Sequence, residues 1–275
     1  PPIRHRRSPD SASTSIAAYF HNRESITMKI VAVIPAHLAS VRFPRKILFP
    51  FQGLPMIEHV RRRALLSDTV KDVYVATCDE EIAEAVHGYG GQVILTSNIH
   101  TNGTSRVAEA VRAINCTHVL LLQGDEPLLL PRHLERMTQA IAAEPEGDAW
   151  NATGPIENEA ELDRHSFVKC AVDGAGKILY CFRRTPCYSS FDVQKTFIRK
   201  ILGIIAYRKD FLLKLTALPP SPIEKAEFIE QMRIIENWHN LQSVPVSPSL
   251  PSVNEPHEAD LVMDYIRQNE EQQVL

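Results

Sequence analysis

The sequence lacks several features by which common classes of protein are recognised. It has no run of 18 apolar residues, and its net charge of -3 comes with dispersed rather than clustered basic residues. A Walker A motif, a GxGxxG motif, a GxSxG motif and an HExxH motif are all missing, which disfavours P-loop nucleotidases and dinucleotide oxidoreductases. We therefore expect a protein that inserts into no membrane and binds no nucleic acid.

Cysteine is also sparse. The five cysteines are odd in number and include no CxxC pair, so they fit reduced thiols better than disulfides or a zinc site. Reduced thiols predict a cytoplasmic protein. Residues 1–27 are basic and rich in Ser and Thr but have no apolar core of a secretory signal. We expect them to be a disordered extension or a leader foreign to the natural protein, which would start at Met28; a transit peptide is the alternative.

Short apolar runs alternate with segments of helical periodicity as far as about residue 150. The predicted strands of this part are Lys29–Ile34, Val73–Ala76, Gln92–Leu95 and His118–Leu122. This alternation predicts an α/β fold with a Rossmann-like, mostly parallel sheet and helices on both faces.

The pattern changes after residue 150. Three short strands are predicted close together, over Phe167–Val172, Ile178–Phe182 and Ile201–Tyr207, with a hairpin turn at 173–176. They predict a small antiparallel insertion at about 165–207 within a single domain of residues 28–270. One long amphipathic helix is expected over Glu224–Trp238, followed by a strand near Leu241–Val246 and a last helix from Glu255.

The first predicted strand ends in a loop suited to an anion. Ala36 closes the strand, and Ser40, Arg42 and Lys46 follow before any helix. In open α/β sheets ligands bind at the carboxyl ends of strands, and two cations four residues apart can hold a polyphosphate. A solvated basic loop is the alternative.

Three further groups of residues could carry chemistry. Gln123 and Asp125 follow the most apolar strand, where a carboxylate suits Mg²⁺, although it could instead cap a turn. Segment 102–106, which includes Gly103 and Arg106, opens a helix whose free N–H groups could bind an anion or a ribose. A plain capping role for Asn102 or Thr104 is the alternative. Glu230 and Gln231 share one side of a helix, for which a solvated face is the alternative.

Together these stretches resemble the 3-deoxy-manno-octulosonate (KDO) cytidylyltransferases and, more widely, the acid-sugar cytidylyltransferases of the nucleotide-diphosphosugar transferase fold. The resemblance runs from Met28 to about Arg267 with order and spacing kept. Its segments are PAHLASVRFPRKIL (35–48), GLPMIEHV (53–60), VYVAT (73–77), HTNGTSR (100–106), QGDEP (123–127), FVKCAVDGAGKILY (167–180), PSPIEKAEFIEQMR (220–233) and VNEPHEADLV (253–262).

The resemblance implies a nucleotidyltransferase of lipopolysaccharide biosynthesis that moves CMP from CTP to an acidic acceptor, KDO or a related ulosonic acid, and releases pyrophosphate. It implies catalytic roles for Arg42, Lys46 and Asp125, and Mg²⁺ bound by Asp125 and Asn254. The homodimer that we expect follows instead from the antiparallel insertion, since such an arm often mediates dimerisation. The residues implied to bind substrates are Ala36, Ser40, Arg42, Lys46, Gly103, Arg106, Gln123, Glu230 and Gln231.

The sequence departs from the family pattern at several positions. The family's usual residues are replaced by His37 (Arg), Cys78 (Asp, with Asp79 adjacent), Ser105 (Glu or Asp), Ile201 (His), Ile205 (Tyr) and Asn254 (Asp). Two isoleucines in place of acceptor contacts disfavour a polyhydroxylated sugar, because its hydroxyl groups would lose partners. We therefore keep three alternatives open: CMP transfer to another acid such as a phosphonate, transfer from another nucleotide, and a non-catalytic nucleotide-binding relative.

Overall fold

A nine-stranded sheet forms the centre of the chain in the computed structural model, which describes residues 28–274. The strands of residues 28–274 are β1 (Ile30–Ala36), β2 (Pro50–Phe51), β3 (Leu54–Pro55), β4 (Val73–Thr77), β5 (Gln92–Leu95), β6 (His118–Leu122), β7 (Ala149–Gly154), β8 (Lys169–Val172), β9 (Ile178–Phe182), β10 (Ile198–Arg208) and β11 (Leu241–Pro245). Strands β2 and β3 form a separate two-stranded sheet, and the other nine form the central one. The prediction made for residues 1–27 lies outside the described residues.

Helices connect these strands. They are α1 (Met56–Leu65), α2 (Glu80–Gly88), α3 (Gly103–Ala110), α4 (Pro131–Ala143), α5 (Ala160–Asp163), α6 (Phe191–Phe197), α7 (Lys209–Ala217), α8 (Pro222–Glu227), α9 (Gln231–Glu236) and α10 (Pro256–Gln268). Short 3-10 turns at Lys46–Leu48, Val111–Ala113 and Glu270–Gln272 complete the regular structure. No helix of residues 28–274 combines the length and the apolar character needed to cross a membrane.

The first half of the sheet is parallel, as predicted. Strand β1 pairs in parallel with β4 and β6, and β4 pairs in parallel with β5. Side chains of β1 alternate between two cores: Ala32 and Ile34 pack with α1, α4 and α10, whereas Val31 and Val33 pack with α3 and α7. Because both faces are covered, the apolar run of β1 is buried on both sides, and the predicted α/β architecture is confirmed.

The second half of the sheet is mixed. Strand β10 runs antiparallel between β6 and β7, and β11 is parallel to β7 at the edge. Strands β8 and β9 form the predicted hairpin, in which Asp173 Oδ1 accepts hydrogen bonds from the N–H groups of Ala175 and Lys177, both at 2.9 Å. Only β8 and β9 leave the main strand order, whereas β10 belongs to it, so the limits of the insertion and of the domain remain predictions.

The predicted long helix over 224–238 is wrong. The chain forms α8 and α9 instead, with Phe228 between them in the left-handed region at φ 55°. The break lets the Glu236 carboxylate accept hydrogen bonds from the N–H groups of Ile223 and Glu224, at 3.1 and 3.2 Å, and so cap α8. In a continuous helix those residues would be about 20 Å apart at 1.5 Å per residue.

The fold brings several strand ends to one edge. Strands β1, β4 and β6 are parallel, so Ala36, Thr77 and Leu122 end at the same side of the sheet. The antiparallel β10 passes this edge, where the Gln123 N–H donates to the carbonyl oxygen of Gly203 at 2.9 Å. Polar residues that follow these strands therefore share one region.

Candidate active site

The loop after β1 places two cations at this edge of the sheet. The Arg42 guanidinium donates to Asn254 Oδ1 at 3.0 Å. Lys46 Nζ lies 2.6 Å from Asp125 Oδ2 and donates to the carbonyl oxygen of Val253 at 3.1 Å. The Lys46 and Asp125 side chains are 12% and 22% exposed, so their attraction is stronger than it would be in water. The cationic loop is thereby joined to both segments that carry the predicted Mg²⁺ ligands.

A cavity of about 560 Å³, here called the loop cavity, opens between this loop and the start of α3. The predicted site residues that line it are Ala36, Ser40, Arg42, Lys46, Gly103, Arg106, Gln123 and Asp125. Three of them, Arg42, Lys46 and Arg106, are cations. A cavity with three cations near a parallel strand end suits a polyphosphate better than a neutral ligand.

The start of α3 forms one wall of the loop cavity. Asn102 Oδ1 accepts a hydrogen bond from the backbone N–H three residues on, at 2.8 Å, so Asn102 is the cap. A Cβ at Gly103 would lie 3.0 Å from Pro35 Cγ, which explains a glycine at this close approach. The buried Arg106 donates a hydrogen bond to Thr96 Oγ1, just after β5, at 2.6 Å. Not all of its N–H groups are therefore available to a ligand in the loop cavity.

His37, which stands where the resemblance leads one to expect arginine, lines the loop cavity. Partial loss of solvation in the loop cavity lowers the pKa of His37, and the nearby charges of Arg106 and Lys46 act in the same direction, whereas Asp79 and Asp125 oppose them. The imidazole is therefore neutral near pH 7. It offers one N–H to a bound anion where arginine would offer a permanent charge.

At two other departures from the expected pattern, Ser105 and Cys78, a neighbouring polar side chain makes hydrogen bonds at the edge of the loop cavity. Ser105 Oγ lies 3.1 Å from His100 Nδ1, and the other ring nitrogen of His100 contacts the Glu109 carboxylate. His100, which also lines the loop cavity, is thus oriented by two partners. Asp79, beside the replaced position 78, accepts a hydrogen bond from the N–H of Leu38 at 2.9 Å and anchors the cationic loop.

A second cavity of about 450 Å³, here called the strand cavity, lies over β10 and the start of α9. The predicted site residues that line it are Gln123, Asp125, Glu230, Gln231 and Asn254. Gln123 and Asp125 line both cavities, so the two spaces meet at these side chains. Every predicted site residue therefore lines one of two adjoining cavities.

Gln231 is oriented by a residue that sequence reasoning missed. Its Nε2 donates to Asn151 Oδ1 at 3.0 Å, and Asn151 Nδ2 donates to the carbonyl oxygens of Leu202 and Ile204 at 3.0 and 3.3 Å. These bonds span the irregularity of β10 between residues 201 and 205. Asn151 lies on the unpredicted strand β7, whose sequence AWNATG has no apolar periodicity that could have revealed it.

Two carboxyl groups of the strand cavity have raised pKa values. Burial, reinforced by the neighbouring Asp125, raises the pKa of Glu126 to about 7. Its Oε1 accepts a hydrogen bond from the N–H of Gly203 at 2.8 Å, and any side chain at Gly203 would collide with this carboxylate. Burial also raises the pKa of Glu230. Glu126 directly follows Asp125, the predicted Mg²⁺ ligand of the QGDEP segment. This position in the sequence could have marked it as a candidate site residue.

The two isoleucines of β10 give the strand cavity an apolar stretch. Ile205 is 5% exposed and packs into the core beneath the sheet, and Ile201 packs against the same core. Both also line the strand cavity, one on each side of Gly203. Neither side chain can replace the hydrogen bond of a histidine or a tyrosine.

Comparison with known proteins identifies the family. A family model described as Cytidylyltransferase matches residues 31–241. The chain belongs to the cytidylyltransferase family. The "3-deoxy-manno-octulosonate cytidylyltransferase" of Chlorobium limicola is 37% identical to this cytidylyltransferase over 245 residues, 88% of this chain and 99% of that protein. The Escherichia coli protein of the same name is 37% identical over 228 residues, 83% of this chain and 92% of its own length.

A solved structure extends the likeness to three dimensions. The structure of "CMP:2-keto-3-deoxy-manno-octonic acid synthetase complexed with CTP" aligns with a TM-score of 0.82 and 35% identity, over 87% of this chain and 99% of that one. The cytidylyltransferase described here is therefore a nucleotidyltransferase with the fold predicted from its sequence. The roles of its individual residues remain predictions.

Proposed function

We propose that this protein transfers CMP from CTP to an acidic sugar of the KDO type and releases pyrophosphate. The observation that carries the proposal is the meeting of a cationic cavity and a second cavity at Gln123 and Asp125. A transferase with two substrates needs adjoining spaces so that the acceptor oxygen faces the phosphorus that it attacks. The names of the relatives, which match nearly their whole length, support the same reaction.

The loop cavity is the proposed CTP site. Arg42 can hold phosphate oxygens with its planar guanidinium, and Lys46 supplies a compact positive charge. Both already contact the acidic or amide side chains of the metal segments, so each would share its hydrogen bonds with the triphosphate. Their charge would favour the transition state, in which negative charge builds on the departing pyrophosphate.

The strand cavity is the proposed acceptor site. Glu230 and Gln231 line it from α9 and its cap, and Gln123 lies at the junction with the loop cavity. The hydrogen bond from Gln231 to Asn151 leaves its amide oxygen in a defined orientation, suited to accept from a hydroxyl group of the acceptor. In this arrangement the residues act mainly by orienting the two substrates for in-line attack on the α-phosphorus.

Mg²⁺ is the proposed cofactor, and the residues present fit it. The Asp125 carboxylate and the Asn254 amide both line the strand cavity, and the Val253 N–H donates to the Asp125 carbonyl oxygen at 2.9 Å, which keeps the two segments together. Among the described residues no cluster of three His, Cys, Asp or Glu could hold a metal without substrate. This agrees with Mg²⁺ chemistry, in which one or two protein ligands are completed by substrate phosphates. When bound, the ion would neutralise phosphate charge.

Ile201 and Ile205 favour a second candidate, an acid less hydroxylated than KDO. Hydroxyl groups placed against these side chains would lose hydrogen bonds on leaving water, whereas a methylene or methyl group would not. Transfer of CMP to another ulosonic acid or to a phosphonate is therefore the alternative. It keeps the CTP site and the chemistry unchanged.

Pyrophosphate release from CTP and Mg²⁺, measured with KDO, other ulosonic acids and phosphonates, tests the proposal. We expect release with at least one of these acids, loss of most of it in Lys46→Met, and normal rates in Lys71→Met, whose side chain is 71% exposed. Fastest turnover with KDO would refute the altered acceptor. Tight binding of CTP without pyrophosphate from any acid would refute transfer itself and favour a non-catalytic relative.

We also propose a homodimer and a cytoplasmic location. Three exposed apolar side chains support the first: Leu179 on the β8–β9 hairpin, Tyr188 in the segment that follows it in the chain, and Phe228 between α8 and α9. The five cysteines, all free and among the described residues, support the second. Light scattering of the purified protein measures the oligomeric state, and a mass of one chain would refute the dimer.

A further inference from the structure

The strand cavity has an unusual balance of charge for a site that would take an acid. Among the described residues that line it, six carry carboxyl groups and one, Lys200, carries a cationic group. The carboxyl groups belong to Asp125, Glu126, Glu157, Glu161, Glu230 and Glu258. A carboxylate that enters this cavity needs a cationic partner, because its transfer from water would otherwise be unfavourable.

Lys200 has the position and the free N–H donors that a cationic partner of the carboxylate needs. It lies on β10, is 5% exposed, and its Nζ donates to Glu161 Oε1 at 2.9 Å. An ammonium group has three N–H donors, and within residues 28–274 this is the one hydrogen bond that it makes. The Nζ also lies 5.6 Å from the ring centre of Phe167, which lines the same cavity. Two donors therefore remain for a ligand.

The partner of Lys200 is itself held by hydrogen bonds. Glu161 Oε2 accepts a hydrogen bond from the N–H of Glu157 at 2.8 Å. The fully buried Lys169 donates to the carbonyl oxygens of Glu161 and Arg164, at 3.3 and 2.8 Å, and so anchors the segment around α5. Because these bonds hold Glu161 beside Lys200, we expect an incoming carboxylate to join the ion pair instead of replacing it.

We infer that Lys200 binds the carboxylate of the acceptor and thereby selects acids. The inference rests on the proposed function, since it assigns the group that recognises the acceptor's charge in the strand cavity. It explains how a cavity rich in carboxyl groups could accept an anion. The apolar Ile201 beside Lys200 would then face the carbon skeleton of the acceptor.

Steady-state kinetics of Lys200→Met, with the acid that gives the fastest turnover of the unaltered protein, tests the inference. We expect the KM for the acid to rise about tenfold or more, as for loss of a charge-assisted hydrogen bond, while the KM for CTP changes less than about twofold. Lys200→Arg should recover most of the loss. Lys195→Met is the matched control on the neighbouring helix, where the lysine is 47% exposed, and it should change neither constant.

Two further measurements keep the test decisive if Lys200→Met fails to fold. Glu161→Gln removes the competing charge but keeps a hydrogen-bonding oxygen, so the KM for the acid should fall. An acceptor analogue with an amide in place of its carboxylate should bind the unaltered protein and Lys200→Arg equally weakly. An unchanged KM for the acid in Lys200→Met or in Glu161→Gln would overturn the inference. Absence of turnover by the unaltered protein with every acid would instead overturn the proposed function.

Discussion

An ion pair between Arg233 and Glu224 holds together the two short helices beside the strand cavity. Arg233 donates to both carboxylate oxygens, at 2.8 and 2.5 Å, and the two side chains are 11% and 8% exposed. Removal of the arginine would leave a buried carboxylate with the N–H of Ser221 as its remaining donor among residues 28–274. An uncompensated charge of this kind costs far more than a surface pair contributes.

We expect Arg233→Met to lower the free energy of unfolding by about 3 kcal/mol, the lower part of the range for breaking a buried ion pair. Methionine retains most of the apolar stem of arginine, and Ser221 still donates to Glu224, so the upper part of that range is not expected. Adding Glu224→Gln to this variant removes the unpaired charge and should restore about 1 kcal/mol.

Urea unfolding followed by tryptophan fluorescence measures this effect. Trp150 is 1% exposed and will report unfolding, whereas Trp238 is 94% exposed and will change little. Arg267→Met is the control, because the pair of Arg267 with Asp264 is 67% and 59% exposed and should contribute about 0–1 kcal/mol. Equal losses of stability in Arg233→Met and the control would refute the reasoning.

Three other predictions concern buried or cavity-lining residues. His37→Arg should lower the KM for CTP about fivefold at pH 8, and the difference from the unaltered protein should shrink as the pH falls and His37 becomes protonated. Burial lowers the pKa of Lys169 from 10.5 to about 8, so the unfolded chain binds more protons between these values and the free energy of unfolding should rise with pH there. In Lys169→Met, urea unfolding at several pH values should show a smaller rise. Asn151→Ala should raise the KM for the acceptor about tenfold and leave the KM for CTP unchanged, because Gln231 in the strand cavity loses the hydrogen bond that orients it. Equal changes in the two KM values would contradict this prediction.

Apolar pattern was enough to predict many of the elements. Gln92–Leu95, His118–Leu122 and Ile178–Phe182 form strands with the predicted bounds, because each is a short run rich in apolar or β-branched residues. The first of them is an edge strand with no fully buried residue, and the second is buried throughout. Strand β7 was missed because its polar members are satisfied by distant partners, as when Thr153 Oγ1 contacts Ser243 Oγ at 2.8 Å. The sequence of β7 gives no sign of this partner, because Ser243 lies 90 residues further along the chain.

The break between α8 and α9 has a similar cause. Local periodicity favoured one helix, but Glu236 caps α8 across the turn and Arg233 reaches back to Glu224. These contacts join residues that a straight helix would separate, so a tertiary preference outweighs a local one. The same turn places Glu230 and Gln231 at the strand cavity.

The sequence by itself determined the family, the parallel half of the sheet and the cationic loop, because these depend on local runs and on side chains that follow strand ends. Only the tertiary structure decided that β10 runs antiparallel past the strand ends and that two cavities meet at Gln123 and Asp125. It also decided that Lys200 lines the same cavity as six carboxyl groups and hydrogen-bonds with one of them, Glu161. Strand order, burial and charge balance arise from contacts between distant segments, which no local pattern encodes.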